Sequence, residues 1–296
     1  MRVLQDDYGA EKLKGLFVVD LDGTLLTSER KFAPTDLEAL CRLRTRGYLV
    51  AIATGRSNHS FELLIENLGY AGSESSLPVD FVIFSTGAGI LDFPTNSLLK
   101  SFSLGSEDVL FAAEYLERAG LDYMIHKPVP DTRYFLYSCN GGKNPDFHRR
   151  LQMYGEFGSP LSRQLLENFG EATEVLCISP GNSGHRVAND IACILPQCNV
   201  IKATSPLDGT SVWIEIFPPT VSKSQAVRWL SAATGLEQRN ICAVGNDYND
   251  EDLLSWAGQS FLVENGPSSM KSDFEIVASN DNGGVAEAVT RWLAVL

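Results

Sequence analysis

Short apolar segments that alternate with amphipathic ones constrain the fold of this chain more than any other feature. Apolar runs at 16–19 and 48–53 and a third strand candidate at 80–84, apolar after Asp80, are separated by two segments with helical periodicity, which end at Gly47 and Gly69. Short continuous runs are typical of strands covered on both faces. Strands that alternate with helices predict a parallel, doubly wound sheet, so the expected fold class is α/β with a Rossmann-like core.

A different pattern occupies residues 90–211, where helical segments mix with neighbouring pairs of strand candidates. Such pairs indicate hairpins and therefore a second kind of domain. The first pattern resumes with a helix that starts at Ser222, and a length of 296 residues fits two domains. We therefore predict a core domain formed by residues 1–89 and 212–296, with an α/β cap domain inserted at 90–211.

Composition and charge exclude several classes of partner. The formal net charge is −13, whereas binding to nucleic acid or to an anionic membrane surface requires a basic face. No apolar run approaches the roughly 18 residues that span a bilayer, and the first 15 residues lack the apolar stretch of a signal peptide. We expect a cytoplasmic protein with neither nucleic acid nor membrane as a partner; the oligomeric state is left open.

The strongest chemical signal is the segment 18–26, Val-Val-Asp-Leu-Asp-Gly-Thr-Leu-Leu, in which Asp20 and Asp22 follow the first strand. Ligands of open α/β sheets bind beyond the carboxyl ends of the strands. Two close carboxylates suit a divalent cation with oxygen ligands, or a pair in which one attacks and the other carries a proton. A structural alternative is an Asp cap and an Asp-Gly turn, which does not account for an Asp that closes a buried strand.

These residues resemble the signature of the haloacid dehalogenase (HAD) superfamily, whose phosphatases carry Asp-x-Asp-Gly-Thr at the first strand. The family's second motif matches Thr54 after the second strand, and its third matches Lys223 at the start of a late helix. The fourth motif, an acidic cluster after the next strand, matches residues 245–253. The large insert and the segments 213–216 and 282–286 are similar to the Cof-type, sugar-phosphatase-like branch.

The resemblance implies a role for each matched residue. Asp20 is expected to attack phosphorus and Asp22 to carry the proton, with Thr54 and Lys223 completing the catalytic set. The implied substrate-binding residues are Thr54, Gly55, Arg56, Lys223 and Asn249. The implied cofactor is Mg²⁺, and its candidate ligands are Asp20, Asp22, Asn246, Asp247 and Asp250.

The local chemistry of these residues permits those roles and also structural alternatives. The Thr54 hydroxyl can donate to a phosphoryl oxygen, or it can cap the helix that follows. Lys223 can act as a point charge on a transferring phosphoryl group, or it can be a solvated residue behind a Ser222 cap. Arg56 can contact the substrate or pair with a surface acid.

The fourth motif departs from the family pattern, because Asn246 stands where relatives have Asp. An Asn carbonyl oxygen can bind magnesium but brings no negative charge. Either Asn246 serves directly, or the loop presents Asp247, although neighbouring side chains in extended backbone face opposite ways. Asp250 is expected to act through water or by holding Lys223. A second departure lies at residues 85–88, Ser-Thr-Gly-Ala, where relatives often show Asn-Gly-Ala.

The resemblance implies a magnesium-dependent phosphomonoester hydrolase that acts through an aspartyl-phosphate on a small phosphorylated metabolite, with a sugar phosphate as the expected substrate. A phosphotransferase or phosphomutase of the same superfamily would keep every motif. A non-catalytic phosphometabolite-binding protein is the other alternative, because Asn246 weakens the metal site. Basic and aromatic residues of the insert are candidates for substrate contacts: His126, Lys127, Arg133, Tyr134, Lys143, His148, Arg149, Arg150, His185 and Arg186.

Overall fold

The computed structural model describes residues 13–70, 77–140 and 142–295 of the chain. These residues divide into two compact units. Of the described residues, the core unit comprises 13–56, 61–70, 77–100 and 222–295, and the inserted unit comprises 57–60, 101–140 and 142–221.

The helices and strands follow one another in three stretches. The first forms β1 (Gly15–Asp20), α1 (Pro34–Thr45), β2 (Tyr48–Ala53), α2 (Asn58–Asn67), β3 (Phe81–Phe84), β4 (Gly89–Asp92) and β5 (Ser97–Ser101). The second forms α3 (Ser106–Arg118), β6 (Tyr123–His126), β7 (Phe135–Ser138), α4 (Pro145–Tyr154), β8 (Gly158–Pro160), α5 (Arg163–Glu167), β9 (Glu174–Ser179), α6 (Gly184–Ile194), β10 (Asn199–Thr204) and β11 (Val212–Phe217). The third forms α7 (Lys223–Thr234), β12 (Ile241–Gly245), α8 (Glu251–Trp256), β13 (Gln259–Val263), β14 (Glu275–Val277) and α9 (Gly284–Val295).

The core unit contains a sheet with the strand order β14-β13-β12-β1-β2-β3-β4-β5. Strands β14 through β3 pair in parallel, and β4 pairs with β3 antiparallel. Strand β1 lies between β12 and β2, and all six of its residues are buried. This arrangement confirms the predicted α/β fold class, and it brings the carboxyl ends of β1, β2 and β12 to one edge of the sheet.

Local sequence signals explain where several core helices begin and end. Helix α1 starts with Pro34 in its first turn, where the absent N–H of proline costs no hydrogen bond. The Ser222 side chain accepts a hydrogen bond from the Gln225 N–H at the start of α7, and Gly235 ends that helix at a φ of 73°. Among the described residues, no helix combines the length and the apolar character that crossing a bilayer requires.

The inserted unit contains a second sheet with the order β10-β11-β9-β6-β7-β8. Strands β10, β11, β9, β6 and β7 pair antiparallel, as hairpin candidates predict, whereas β8 pairs with β7 in parallel. One face of this sheet packs in a hydrophobic cluster with buried residues of α3 and α6, such as Leu116 and Ile191. A smaller cluster on other residues of the sheet includes Phe147 of α4.

The structure places both domain boundaries about ten residues later than the sequence suggested. Strands β4 and β5, which follow the predicted boundary at residue 89, belong to the core sheet. Strand β11 was expected in the core but pairs with β9 and β10 of the inserted sheet. A short apolar run identifies a strand but not the sheet that it joins, which explains both differences.

Candidate active site

The two acids of the first motif lie where β1 ends and the chain turns. Asp20 is the last residue of β1 and pairs in register with Ala53 of β2. The carbonyl oxygen of Asp20 accepts a hydrogen bond from the Leu25 N–H at 3.2 Å, which closes a tight turn around Gly23. Gly23 has a φ of 81°, a conformation that glycine adopts without strain. The turn therefore holds Asp20 and Asp22 together at the carboxyl edge of the sheet.

Lys223 reaches this edge from a different part of the chain. It is the first residue of α7, and its side chain is fully buried. Its Nζ donates to Asp20 Oδ1 at 2.7 Å and to Asp250 Oδ1 at 2.5 Å. A buried ammonium group requires such partners, because an unpaired buried charge is strongly unfavourable. The lysine thus links the first and fourth motifs directly.

Burial and neighbouring charges shift the pKa of Lys223 in opposite directions, and both also act on the pKa of Asp20. Burial tends to lower the pKa of Lys223, but the carboxylates of Asp20 and Asp250 outweigh it and the net pKa is raised. Burial raises the pKa of Asp20 to about 7, with a further rise from the charge of Asp250, while Lys223 opposes the shift. An additional positive charge beside Asp20 would favour its ionised form.

The Asp250 carboxylate contacts Lys223 and the backbone of the fourth motif. Its Oδ1 accepts from Lys223, and its Oδ2 accepts the backbone N–H groups of Asn246 at 2.9 Å and Asp247 at 3.1 Å. A Cβ on Gly245 would lie 2.6 Å from Asp250 Oδ2, so only glycine permits this approach. The contact with Lys223 is one of the two roles that the sequence suggested for Asp250, and its role as a metal ligand stays a prediction.

The side chain of Asp247, another predicted metal ligand, takes part in the turn before α8. Its backbone is extended, with φ −140° and ψ 175°, and its side chain accepts from the Asp250 N–H in a reciprocal capping box. Asn246, one residue earlier, faces Asp20 and Asp22 instead. Adjacent side chains in extended backbone point to opposite sides. Asp247 therefore stabilises the turn before α8, and Asn246 is the residue that the loop presents to the acid pair.

The contacts of Asn246 define a candidate cation site. The amide atom that faces the acid pair lies 2.9 Å from Asp20 Oδ2, 3.0 Å from the Asp22 main-chain oxygen and 3.1 Å from Thr24 Oγ1. Octahedral Mg²⁺ with oxygen ligands at about 2.1 Å places neighbouring ligands about 3.0 Å apart. The Asn246 amide therefore lies at the spacing of a neighbouring ligand from both Asp20 Oδ2 and the Asp22 carbonyl oxygen, and these three groups would be the ones to hold magnesium. Among the described residues, no group of three or more His, Cys, Asp or Glu side chains is placed to hold a metal ion.

Arg56 pairs with the second acid of the motif. Its Nε donates to Asp22 Oδ2 at 2.7 Å, and its Nη2 donates to Asp22 Oδ1 at 2.6 Å. This bidentate geometry fixes the plane of the carboxylate. The Asp22 side chain is 34% exposed, so it stays accessible from solvent. The sequence left open whether Arg56 contacts substrate or an acid, and the structure shows that it holds Asp22.

Thr54 and Gly55 follow β2, beside the acid pair. The Thr54 side chain is buried, and its Oγ1 accepts from the Arg56 N–H at 3.1 Å. That contact leaves the hydroxyl proton of Thr54 available to donate. Gly55 is half-buried, and Asn249 is half-buried within the single turn at 248–250. The structure thus places Thr54 directly after Ala53, the residue of β2 that pairs with Asp20.

A strained turn at residues 85–87 supports both the Thr54 loop and the start of α7. Ser85 and Thr86 have φ values of 46° and 54°, which are uncommon for residues other than glycine. The Ser85 N–H donates to the Arg56 carbonyl oxygen at 2.7 Å, and the Thr86 N–H donates to that of Thr54 at 3.0 Å. Backbone strain of this kind concentrates at functional sites. The unusual sequence at 85–88 therefore forms part of the site's frame.

Two further residues support the site without having been singled out from the sequence. Thr24 lies 3.1 Å from the Asn246 amide, and its place within the first motif was the available signal. Asn265 follows β13, where its Nδ2 donates to the Gly23 carbonyl oxygen at 2.8 Å and its Oδ1 accepts from the Asn280 N–H. No local pattern marks Asn265, because its importance depends on a contact with a residue 242 positions away.

Comparison with known proteins shows the family to which this chain belongs. The family model for haloacid dehalogenase-like hydrolases matches residues 17–289, so the chain belongs to that family. A Streptococcus pyogenes protein, named in provisional terms as a phosphatase, is 27% identical over 286 residues and covers 94% of this chain and 98% of its own. A Bacillus subtilis 5-amino-6-(5-phospho-D-ribitylamino)uracil phosphatase is 24% identical, with 93% and 97% covered. The expected resemblance and the expected class, an enzyme of the HAD phosphatase type, are confirmed.

Solved structures show the same fold. A haloacid dehalogenase-like hydrolase from B. subtilis superposes with a TM-score of 0.73 at 21% identity, covering 93% of this chain and 99% of its own. A HAD subclass IIB sugar phosphatase superposes with a TM-score of 0.70 at 17% identity, covering 94% and 98%. At these identities the likeness establishes the fold, and the chemistry rests on the residues described above.

Proposed function

We propose that this protein is a magnesium-dependent phosphomonoester hydrolase that acts on a small phosphorylated metabolite through an aspartyl-phosphate intermediate. The observation that carries the proposal is the buried contact between Lys223 Nζ and Asp20 Oδ1, with Asp22 two residues further on. A nucleophilic carboxylate, a second acid and a fixed cation are the groups that phosphoryl transfer through an enzyme-bound acyl phosphate requires.

The reaction has two steps, both centred on Asp20. In the first, a carboxylate oxygen of Asp20 bonds to phosphorus while the bond from phosphorus to the ester oxygen breaks, and Asp22 protonates the departing alkoxide. In the second, water attacks the same phosphorus, Asp22 takes its proton, and the phosphorus–oxygen bond to Asp20 breaks. Free phosphate leaves, Asp20 is again a carboxylate, and Asp22 is again a protonated carboxylic acid, the form in which it began the cycle.

Other residues of the chain position the reactants and balance their charge. Lys223 holds the Asp20 carboxylate and places a positive charge beside the transferring phosphoryl group. Arg56 fixes the orientation of Asp22, and the free hydroxyl proton of Thr54 is a donor for a phosphoryl oxygen. Asp20, the Asp22 carbonyl and Asn246 would hold magnesium. When bound, that cation offsets the repulsion between the carboxylate and the phosphoryl oxygens.

A sugar phosphate or a related sugar-alcohol phosphate is the substrate class that we propose. Support comes from two relatives, the B. subtilis phosphatase named for a phosphoribitylamino compound and the structural neighbour named a sugar phosphatase. A phosphotransferase with the same motifs would pass the phosphoryl group to an acceptor other than water. Release of free phosphate in the absence of an added acceptor separates the two activities.

The test is phosphate release from 4-nitrophenyl phosphate and from a panel of sugar phosphates at millimolar magnesium. We expect turnover that chelation with EDTA abolishes, and a loss of about 10⁴-fold or more in Asp20→Asn, which removes the attacking group. Asp273→Asn is the matched control, because Asp273 is an exposed acid of the core unit. Acid quenching should trap a phosphorylated wild-type enzyme but not a phosphorylated Asp20→Asn variant.

Two outcomes would contradict the proposal. Equal turnover by Asp20→Asn and wild type would exclude Asp20 as the nucleophile. Binding of phosphometabolites without turnover of any ester would favour a binding protein. That alternative was raised because Asn246 stands where relatives have Asp.

A further inference from the structure

We propose that the Asn246 side chain is a two-position amide switch: its nitrogen faces the acid pair when no cation is bound, and its oxygen turns to the same place when magnesium enters. The inference rests on the proposed magnesium dependence and adds a function for the residue by which this chain departs from its family. The two positions differ by a half-turn of the terminal amide and need no movement of the backbone.

The geometry of the cation-free position follows from the partners of Asn246. The amide atom that faces the acids has two acceptors beside it, Asp20 Oδ2 at 2.9 Å and the Asp22 carbonyl oxygen at 3.0 Å. An oxygen there would oppose two other oxygens, whereas an NH₂ group would donate to both. The hydrogen bond to Asp20 is charge-assisted and therefore among the stronger kinds. Without a cation, the nitrogen is the atom that satisfies this place.

The same place suits an oxygen once a cation is present. Separations of 2.9 and 3.0 Å are those of neighbouring oxygen ligands around octahedral magnesium, for which about 3.0 Å is expected. Thr24 Oγ1, at 3.1 Å, can accept from the nitrogen or donate to the oxygen, because a hydroxyl does both. One set of heavy-atom positions therefore serves both orientations of the amide.

The frame around Asn246 keeps the amide in this place. A Cβ on Gly23 would lie 2.7 Å from the other terminal atom of the amide, so glycine is needed for the close approach. The Asn246 N–H is fixed by Asp250 Oδ2 at 2.9 Å, and the Gly23 carbonyl is fixed by Asn265 at 2.8 Å. The backbone of Asn246 and the turn at Gly23 are thus both fixed by hydrogen bonds. Inversion of the side-chain amide is then the movement by which Asn246 can adapt to a bound cation.

An aspartate at position 246 has no such second position. Either of its oxygens would face Asp20 Oδ2 at a distance where like charges repel, unless a cation lay between them. Asn246 therefore stabilises the cation-free site and lowers its affinity for magnesium. Binding of magnesium costs the two hydrogen bonds that the amide nitrogen donates, and the neutral Asn246 oxygen that replaces the nitrogen adds no negative charge to the site. The wild-type protein should tolerate removal of magnesium better than an aspartate variant.

The experiment compares wild type with Asn246→Asp by calorimetric titration with Mg²⁺ alone. We expect the variant to bind magnesium about tenfold or more tightly, because ligand charge raises the affinity for hard cations. In EDTA the variant should melt about 2–4 °C or more below wild type, and saturating magnesium should reverse that order. The matched control is Asn240→Asp, which adds the same charge immediately before β12, at the opposite end of the strand.

A second measurement tests the orientation directly and does not depend on the variant folding. The side-chain NH₂ resonances of Asn246 in wild-type protein can be assigned by selective labelling. We expect them to be protected from solvent exchange in EDTA, and to shift and lose that protection as magnesium is added. Side-chain resonances of Asn240 should not respond.

The outcomes separate this inference from the proposed function. Magnesium binding with an unmoved Asn246 NH₂ signal, or an Asn246→Asp variant that binds no more tightly than wild type, would overturn the switch. A responsive NH₂ signal without magnesium-dependent phosphate release would overturn the hydrolase and leave the switch intact. No magnesium binding by wild type or variant would overturn both.

Discussion

Two groups of buried charged side chains, one in each unit, respond to burial in opposite ways. The lysine cluster of the core unit consists of Asp20, Lys223 and Asp250, and Lys223 has both acids within hydrogen-bond distance. The arginine cluster of the inserted unit consists of His126, Thr132, Arg150 and Glu174. Each of these four contributes one buried polar atom that has no hydrogen-bond partner among the described residues: Nε2, Oγ1, Nε and Oε2, in that order.

The shifts in pKa record the difference. The pKa of Lys223 is raised because paired carboxylates outweigh its burial. Burial lowers the pKa of Arg150 despite the carboxylates around it, and burial raises the pKa of Glu174 to about 8 and lowers that of His126 to about 3. Direct pairing keeps Lys223 charged in the core cluster, although burial raises the pKa of its partner Asp20 to about 7. In the inserted unit, burial without full pairing favours the neutral form of the cation as well as that of the acid. The burial of an ionisable side chain therefore does not by itself indicate whether that side chain is charged, because the answer depends on its hydrogen-bond and ion-pair partners.

The largest difference between the two clusters should appear when the cation of each, Lys223 or Arg150, is replaced by methionine. Lys223→Met leaves two buried carboxylates unpaired, and we expect a loss of about 3–5 kcal/mol in the free energy of unfolding. Arg150→Met loses cation–π contacts with Trp213 and Tyr154 but relieves a buried unpartnered donor, so the net loss should be about 1 kcal/mol or less. Urea unfolding measures both values, with hydrogen exchange to identify the unit that opens. Similar losses in the two variants would contradict the contrast.

The pH dependence of stability tests the arginine cluster separately. The pKa of Glu174 is about 8 in the folded chain, above the ordinary value of 4.5. Between these pH values the unfolded chain has released a proton that the folded chain keeps, so Glu174 makes stability fall as pH rises. Glu174→Gln should remove this contribution, so the stability of the variant relative to wild type should rise as the pH rises from about 5 to about 8.

The control for that experiment is Glu171→Gln, an exposed glutamate three residues earlier. Its unfolding free energy should follow the wild-type pH profile. Parallel profiles for wild type and Glu174→Gln would show that Glu174 ionises normally in the folded protein, and the contrast between the clusters would then be wrong.

The smallest expected effect comes from a matched pair of helix caps. Ser222 caps α7 through the Gln225 N–H, and Ser162 caps α5 through the Leu165 N–H, each at 3.2 Å. Ser222→Ala should cost about 1 kcal/mol, because it weakens a buried 12-residue helix that carries Lys223. Ser162→Ala should cost about 0.5 kcal/mol in a short, exposed helix. Only Ser222→Ala should also slow phosphate release, and equal effects on turnover would contradict its positioning role.

Much of the core fold could be predicted because its strands are continuous apolar runs with helices between them. Strands β4 and β5 were missed, since β5 carries exposed and half-buried residues and gives no continuous apolar signal. Strand β11 was assigned to the wrong sheet, because its buried residues are as apolar as those of the core strands. The choice of sheet depends on pairing with distant strands, which no local pattern encodes.

Motif spacing indicated which residues meet at the site, but not how their side chains are directed. The order of strands is enough to bring Asp20 and Thr54 to one edge of the sheet, whereas Lys223 begins a helix and was linked to them only by its match to the third family motif. The choice between Asn246 and Asp247 depends on backbone torsions in a two-residue stretch, and these follow from the contacts of Asp250 with both N–H groups. The strained turn at 85–87 was visible only as a departure from the family's usual sequence.

The position of β1 between β2 and β12 has a consequence for synthesis on the ribosome. Strand β2 follows β1 closely, but Lys223 lies 203 residues after Asp20 in the chain, and β12 comes later still. At translation rates of about 5–20 residues per second, one edge of this apolar strand waits on the order of 10–40 s for its neighbour. The intervening antiparallel sheet is complete in sequence before then. For most of the time that the chain is being synthesised, the edge of β1 that will pair with β12 therefore has no partner strand. We expect chaperones to bind the nascent chain at this exposed apolar edge.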